Sequence, residues 1–108
     1  MERLGEAVAA RAPAARIGIN QSSGGLMPIA TAARLPVRTA LSGPAAGVVG
    51  AVAAARASKR PDVITLDMGG TSTDVCLIEG YEAEMAFGRE VAGFPVRLPA
   101  IDIHTVGA

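Results

Sequence analysis

Aromatic residues are nearly missing from this chain: two Phe, one Tyr and no Trp among 108 residues. Any core has to be assembled from Ala, Val, Ile and Leu, which bury less area per side chain than a large ring. Burial stabilises by roughly 25 cal/mol per Å², so an Ala-rich core is thin for its length. The length itself suffices for one small domain and not for two. Cysteine is equally scarce. Cys76 alone excludes an intramolecular disulfide and suits a reducing, cytoplasmic setting. There is no excess of charge, with 10 Lys and Arg against 10 Asp and Glu. That balance argues against a nucleic-acid partner, which calls for a basic face, and leaves little repulsion to oppose self-association. Long apolar runs are lacking too. The uncharged stretch Thr39 to Ala55 contains Pro44, is mostly Ala and Gly, and falls short of the ~20 strongly apolar residues of a membrane span. The opening Met1-Glu2-Arg3-Leu4-Gly5-Glu6 has no apolar segment of the secretory kind.

What is present reads as helices first and strands later. Leu4, Val8 and Ala12 at helical spacing predict a short amphipathic helix over residues 2–12, ended by Pro13. Ala15 to Asn20 alternates toward β, and Gln21-Ser22-Ser23-Gly24-Gly25 reads as a loop. Pro28 opens a second short helix to Leu35, closed by Pro36, and Val37 to Leu41 is expected to be extended. The strongest helix follows, with Ser42 as N-cap, Pro44 in the first turn and Ala45 to Ala57 as its body. It is apolar all round, which predicts burial. Gly43, Gly47 and Gly50 fall near one face and would admit close approach of another backbone.

From Asp62 the period changes to two. Val63 to Leu66, Val75 to Ile78 and Glu82 to Phe87 read as strands. Val91 to Leu98, interrupted by Gly93 and Pro95, reads as an edge or bulged strand, and Ile101 and Ile103 alternate around Asp102. The uncharged end, Thr105-Val106-Gly107-Ala108, reads as a cut through a structural unit, so residues 1–108 are expected to form a single partial domain.

Asp67-Met68-Gly69-Gly70-Thr71-Ser72-Thr73-Asp74 lies between two of these strands. Paired glycines let a backbone approach phosphates and aim N–H groups at them. Thr71, Ser72 and Thr73 add hydroxyl donors. Asp67 could hold Mg²⁺ through water, since that ion dehydrates reluctantly, and Asp74 could take a second metal or water-orienting role. An ordinary hairpin turn accounts for Gly-Gly-Thr equally well. Two aspartates beside apolar strands and three hydroxyls within eight positions favour the phosphate reading. The loop is no Walker A, since no Gly-Lys-Ser/Thr follows, and no dinucleotide fingerprint, since a strand follows the glycines.

The strand–Asp-x-Gly-Gly-Thr–strand unit is similar to the phosphate loops of actin-like ATPases, and Ser42 to Gly47 resembles the helix joining their two lobes. More specifically, four segments occur in the order seen in hydantoinase A and 5-oxoprolinase: Asn20 to Met27, Leu41 to Gly50, Asp67 to Val75, and Asp102 to Ala108. The resemblance implies an α/β fold, a partial lobe of the actin-like, ribonuclease-H-like class, with an antiparallel hairpin around the phosphate loop and a buried Ala- and Gly-rich helix. It implies an ATP-dependent hydrolase of cyclic amides in which ATP phosphorylates the ring amide oxygen, with Mg²⁺ and a possible hydantoinase B-type partner subunit or domain. By this match Gly69, Gly70, Thr71, Ser72 and Thr73 would face phosphate, and Asp67 and Asp74 metal. Members of the family carry another phosphate loop and an adenosine-binding segment, so this stretch is expected to be inactive and self-associating alone. An actin-like nucleotide sensor or chaperone lobe, or a non-catalytic assembly remnant, are the alternatives from other classes.

Among single residues, His104 has only Asp102 as a carboxylate neighbour in sequence and reads as structural rather than catalytic. Cys76, between Val75 and Leu77, reads as a small buried hydrophobe. Arg34, Arg38, Lys59 and Arg60 read as solvated, while Arg89 and Arg97 could approach phosphate in an intact enzyme.

Overall fold

Hydrophobic periodicity assigns most elements correctly, and their connections hold the surprises. The computed structural model describes residues 1–91 and 93–107. Ala92, inside the expected fourth strand, and Ala108, the last residue of the final matched segment, lie outside the described residues. Helix α1 spans Glu2–Arg11, and a minimal hairpin follows from β1 (Ile19–Asn20) and β2 (Leu26–Met27). Next come α2 (Ile29–Arg34), a 3₁₀ turn (Pro36–Thr39) and the long helix α3 (Ser42–Ala57). The rest is β: β3 (Val63–Met68), β4 (Ser72–Glu79), β5 (Glu82–Ala83), β6 (Met85–Val91), β7 (Phe94–Ile101) and β8 (His104–Gly107). Among the described residues all the pairings are antiparallel and form three small sheets, and with the helices they make a mixed α/β structure. No described helix is long and apolar enough to cross a membrane.

β4 is the centre of the largest sheet. One edge pairs with β3 from Val63↔Ile78 to Met68↔Thr73, and the other is shared by β5 at one end and β8 at the other. Gly80 and Tyr81 form the β4–β5 connection, both with positive φ (60° and 68°), as a two-residue turn matched to strand twist requires. α3 lies across one face of this sheet. Ala45 and Val48 meet Cys76, Ile78 and Ile101 there in a five-residue core, with Val52, Val63 and Met85 packed around it. No aromatic ring takes part. The Cα radius of gyration is 15.3 Å, against about 13 Å for a compact domain of this length.

Several expectations are corrected. Ser42 does not cap α3. Leu41 holds the N-cap position in left-handed backbone (φ 58°), with no side-chain cap hydrogen bond. Val37 to Leu41 is not an extended segment, because Pro36 starts a 3₁₀ turn that runs to Thr39 and only Ala40 (φ −62°, ψ 122°) is extended before Leu41. α3 is only partly buried: Ala45, Val48 and Ala55 are covered, while Gly43, Gly47 and Gly50 are exposed. A Cβ placed on Gly43 or Gly50 would meet no atom within 4 Å, so no backbone approaches there among the described residues. α1 buries no residue. Finally, Glu82 to Phe87 is two strands in two sheets, divided at Glu84, whose carbonyl accepts a hydrogen bond from the Asp102 N–H (2.8 Å).

The expected strand Val91 to Leu98 is not one strand, because Val91 ends β6, Gly93 (φ 83°) lies in the turn and Phe94 opens β7. β7 is continuous, and the register shift falls on β6 between Phe87 and Arg89, where Gly88 has φ 133°. The loop Gln21 to Gly25 ties the molecule together. Ser22 donates through both N–H and Oγ to the Arg38 carbonyl (2.8 and 3.0 Å) and accepts from the Ile101 N–H (2.9 Å). Gly24 and Gly25, with φ 84° and 77°, turn the chain sharply enough to close β1 onto β2.

Candidate functional site

The β3–β4 hairpin places its two aspartates by register alone. Asp67 and Asp74 are direct cross-strand partners, so both side chains leave the same face of the sheet. It is the face beneath α3. A Cβ on Gly47 of the helix would stand 3.6 Å from Asp67 Oδ2. A pocket of about 270 Å³ opens here, lined by Pro44, Gly47, Val48 and Ala51 of the helix and by Thr65, Asp67, Asp74 and Ile103 below. Its walls are mostly apolar and its charge is two carboxylates. Opposed like charges on a strand pair destabilise it by roughly 0.2–1 kcal/mol unless a cation lies between them.

One neighbour already engages the pair. Thr105 on β8 donates its hydroxyl to Asp74 Oδ1 at 2.6 Å, which fixes one carboxylate oxygen and leaves the other available. Asp67 is exposed and meets no comparable side-chain donor among the described residues. Thr65, two residues before Asp67 on the same face, is not available to a ligand. Its Oγ1 accepts from the Cys76 N–H (3.0 Å) and donates to the Cys76 carbonyl (3.3 Å).

The turn itself is short. Gly69 donates its N–H to the Ser72 carbonyl at 2.9 Å, closing the hairpin, so that N–H is spent inside the loop. Gly70 and Thr71 form the exposed tip. Neither glycine adopts left-handed backbone; a Cβ on Gly69 would make ordinary contact with the Ser72 carbonyl at 3.6 Å, and one on Gly70 would meet nothing within 4 Å. The fold of this chain therefore does not require glycine at either position. Of the three hydroxyl residues, Ser72 shares the carboxylate face by register, and Thr71 sits at the tip. Thr73 lies on the other face and is buried there at 6% exposure, so its hydroxyl is not in the pocket.

The remaining candidates fall outside. His104 pairs with Val75, on the face away from the carboxylates; its Nε2 lies 3.5 Å from Asp102 Oδ2, with the ring largely exposed. Cys76 is buried beneath α3. Burial raises its thiol pKa, and the charges of Asp102 and Glu84 raise it further, which keeps it protonated and unreactive. Arg89 donates to the Ile101 carbonyl at 2.7 Å, and both it and Arg97 belong to the separate β6–β7 sheet. No group of three or more His, Cys, Asp or Glu that could enclose a metal exists among the described residues. A cation here would keep most of its water, which suits Mg²⁺ better than zinc.

Sequence reasoning missed two participants, Thr105 and Gly47. Thr105 reaches Asp74 only because β8 returns to β4 from a remote stretch of chain, and no local pattern announces that pairing. Gly47 carried a signal, a glycine within a helix, and its meaning was misassigned to helix packing.

Comparison with known proteins bears on the whole chain. The family model Hydantoinase/oxoprolinase matches residues 1–108. A 5-oxoprolinase of Dictyostelium discoideum is 37% identical over 105 residues, which is 85% of this chain and 8% of that protein. The caprolactamase subunit alpha of Pseudomonas jessenii is 33% identical over 88 residues, 82% of this chain and 13% of that one. Among solved structures, nucleotide-free acetone carboxylase, an enzyme of ATP-dependent acetone carboxylation, superposes with a TM-score of 0.74 at 25% identity. The match covers 99% of this chain and 15% of that one. The chain thus spans less than a sixth of each of these relatives.

Proposed function

The chain belongs to the hydantoinase/oxoprolinase family, and from that premise we propose that it supplies one phosphate- and Mg²⁺-binding loop, Asp67 to Asp74, to an ATP-dependent enzyme that opens cyclic amides. In this reading residues 1–108 are part of one lobe of an actin-like ATPase. The observation that carries the proposal is the combination at the β3–β4 turn. Gly69 and Gly70 are glycines that neither backbone angle nor packing demands, and they stand beside two carboxylates that face each other across the strands with no salt bridge to Lys or Arg among the described residues. A phosphate lying against the tip explains the first feature, and a hydrated Mg²⁺ explains the second.

The residues divide the work by position. Asp67 and the free oxygen of Asp74 would hold the ion through its water. With the Gly69 N–H committed to Ser72, contact with phosphate falls to Gly70 and Thr71 at the tip, and Ser72 can add its hydroxyl from the carboxylate side. Thr105 fixes the Asp74 carboxylate. Gly47 keeps the helix side open above Asp67. When bound, ATP would supply the phosphoryl group that, transferred to a ring amide oxygen with ADP leaving, activates the amide carbon toward water. The names of the relatives support this substrate class: oxoprolinase and caprolactamase act on cyclic amides, and the structural neighbour is ATP-dependent.

The test is Asp67→Asn in a complete enzyme that carries this segment. We expect the fold to be kept and ATP-dependent turnover to fall at least ~100-fold, the scale of losing a group that stabilises transition-state charge. Wild-type turnover in a variant with an unchanged melting temperature would remove Asp67 from the metal site.

A further inference from the structure

Tyr81 holds a backbone conformation that a large side chain does not favour. A two-residue turn such as the β4–β5 connection asks for positive φ at both central positions, which Asn, Asp or Gly ordinarily fill. Gly80 meets that demand, whereas Tyr81 at φ 68° is a bulky residue in left-handed backbone. Strain of this kind persists where surrounding contacts hold it in place. Gly80 donates its N–H to Asp62 Oδ1 (2.9 Å), and Tyr81 donates its N–H to the Pro61 carbonyl (2.9 Å). The Tyr81 carbonyl accepts from Arg56 Nη2 (3.3 Å), and the same guanidinium lies over the Tyr81 ring, 4.9 Å from its centroid. Any residue at this position could make the backbone contacts. The stack on Arg56 is what a tyrosine adds.

Arg56 is the one directional hold that α3 has on the sheet. Of the 16 residues in the helix only Ser42 and Arg56 carry polar side chains, and Arg56 is the one α3 side chain that makes a hydrogen bond among the described residues. The rest of the contact runs through Ala45, Val48, Ala51 and Val52. Apolar contact of this sort is non-directional, so small side chains alone leave a helix free to slide or lift. The hold is also remote from the carboxylates. Asp74 and Glu79 are five residues apart on β4, about 17 Å at the rise of a strand, and the turn lies beyond Glu79.

We propose that Arg56 and Tyr81 form a strap that fixes where α3 lies on the sheet, with the tyrosine ring as its closing part. Acting through the helix, the strap sets the height of Gly47 above Asp67 at the other end. Tyr81 is then a positioning residue for the carboxylate pocket that never touches it.

Three variants of the purified chain separate the ring from the turn. Tyr81→Gly relieves the left-handed backbone and removes the ring, Tyr81→Phe keeps the ring, and Arg56→Met removes the guanidinium while keeping most of the alkyl stem. Lifting of the helix is read from the rate at which iodoacetamide modifies Cys76, which packs under Ala45 and Val48. Global stability is read from urea midpoints. Tyr81→Gly and Arg56→Met should each speed modification about two- to fivefold, the scale of an exposed cation–π contact. Tyr81→Gly should do so with a urea midpoint at or above that of the wild type, and Tyr81→Phe should match the wild type in both. Combining Tyr81→Gly with Arg56→Met should be no faster than Arg56→Met alone, because both remove one shared contact. Modification unchanged or slowed by Tyr81→Gly, or effects that add in the double variant, would overturn the strap. So would a urea midpoint that falls in step with the faster modification, since the ring would then serve general stability and not the placement of α3.

Discussion

The chain builds two antiparallel hairpins of similar length, β3–β4 and β6–β7, and their glycines do different work. On β6–β7, Gly88 at φ 133° creates the bulge and Gly93 at φ 83° serves the turn, so both are explained by backbone conformation. On β3–β4, Gly69 and Gly70 have neither a left-handed φ nor a neighbour that would exclude a Cβ. The two hairpins also differ in cover. β3–β4 lies under α3 with an unbroken register, and it holds the two largest fully buried side chains, Ile78 and Cys76. β6–β7 carries both phenylalanines of the chain, Phe87 and Phe94, at 82% and 72% exposure. The lesson is that alternation makes a hairpin, whereas a site needs a hairpin with a roof. Only where α3 closes over the strands do two carboxylates face a bounded pocket.

The largest effect that would break this comparison is on stability. Ile78→Ala removes a fully buried side chain and should cost about 2–5 kcal/mol in chemical denaturation. Phe87→Ala, although it deletes more atoms, should stay within about 0.5 kcal/mol of the wild type. A comparable loss at Phe87 would mean that the second hairpin is covered after all.

The glycines give the next test. Gly88→Val puts a β-branched residue at strongly positive φ and should cost roughly 1–3 kcal/mol. Gly70→Val meets no atom and should leave stability within about 0.5 kcal/mol, while weakening Mg-ATP binding in a complete enzyme. Calorimetry of the two variants side by side would refute the contrast if their stabilities fell equally. A smaller effect of opposite sign is expected in the roof: Gly50→Ala, with open space at its Cβ, should stabilise the chain by about 0.5–1 kcal/mol through helix propensity.

How much of this was legible follows from which forces are local. The change of period at Asp62 announced the strands, because side-chain alternation is a property of each strand alone. The Asp67–Asp74 unit was legible as a strand–turn–strand for the same reason. The roof was legible as a helix, yet its burial was overread. Ala and Gly are compatible with an interior without demanding one. Leu41 in left-handed backbone and the 3₁₀ turn before it follow from a tight join that no propensity encodes. Thr105 depends on β8 reaching β4 from 31 residues away in sequence, and the division of Glu82 to Phe87 depends on the sheet that each half joins. Those are tertiary facts.

The last prediction uses the roof as a chemical shield. Cys76 sits at 1% exposure beneath α3, and burial raises its thiol pKa, with Asp102 and then Glu84 adding to the effect. A folded-state pKa above the unfolded value of 9.0 means that the unfolded chain loses this proton first as pH climbs. The stability tied to the neutral thiol is therefore fully present below that value. It is lost progressively as pH rises from there through the folded pKa. Denaturation midpoints of the wild type should fall more steeply above this point than those of Cys76→Ala, even though the variant starts from a lower stability. Reactivity offers the direct contrast with the uncovered hairpin. In a Cys76→Ala background, Phe87→Cys places a thiol at an open position, and iodoacetamide at pH 8 should modify it at least ~10-fold faster than it modifies Cys76 in the wild type, because the thiolate must be both formed and reached. Equal rates would show that α3 lifts freely from the sheet. The pocket over Asp67 and Asp74 would then have no fixed upper wall, and the distinction drawn between the two hairpins would fail at its centre.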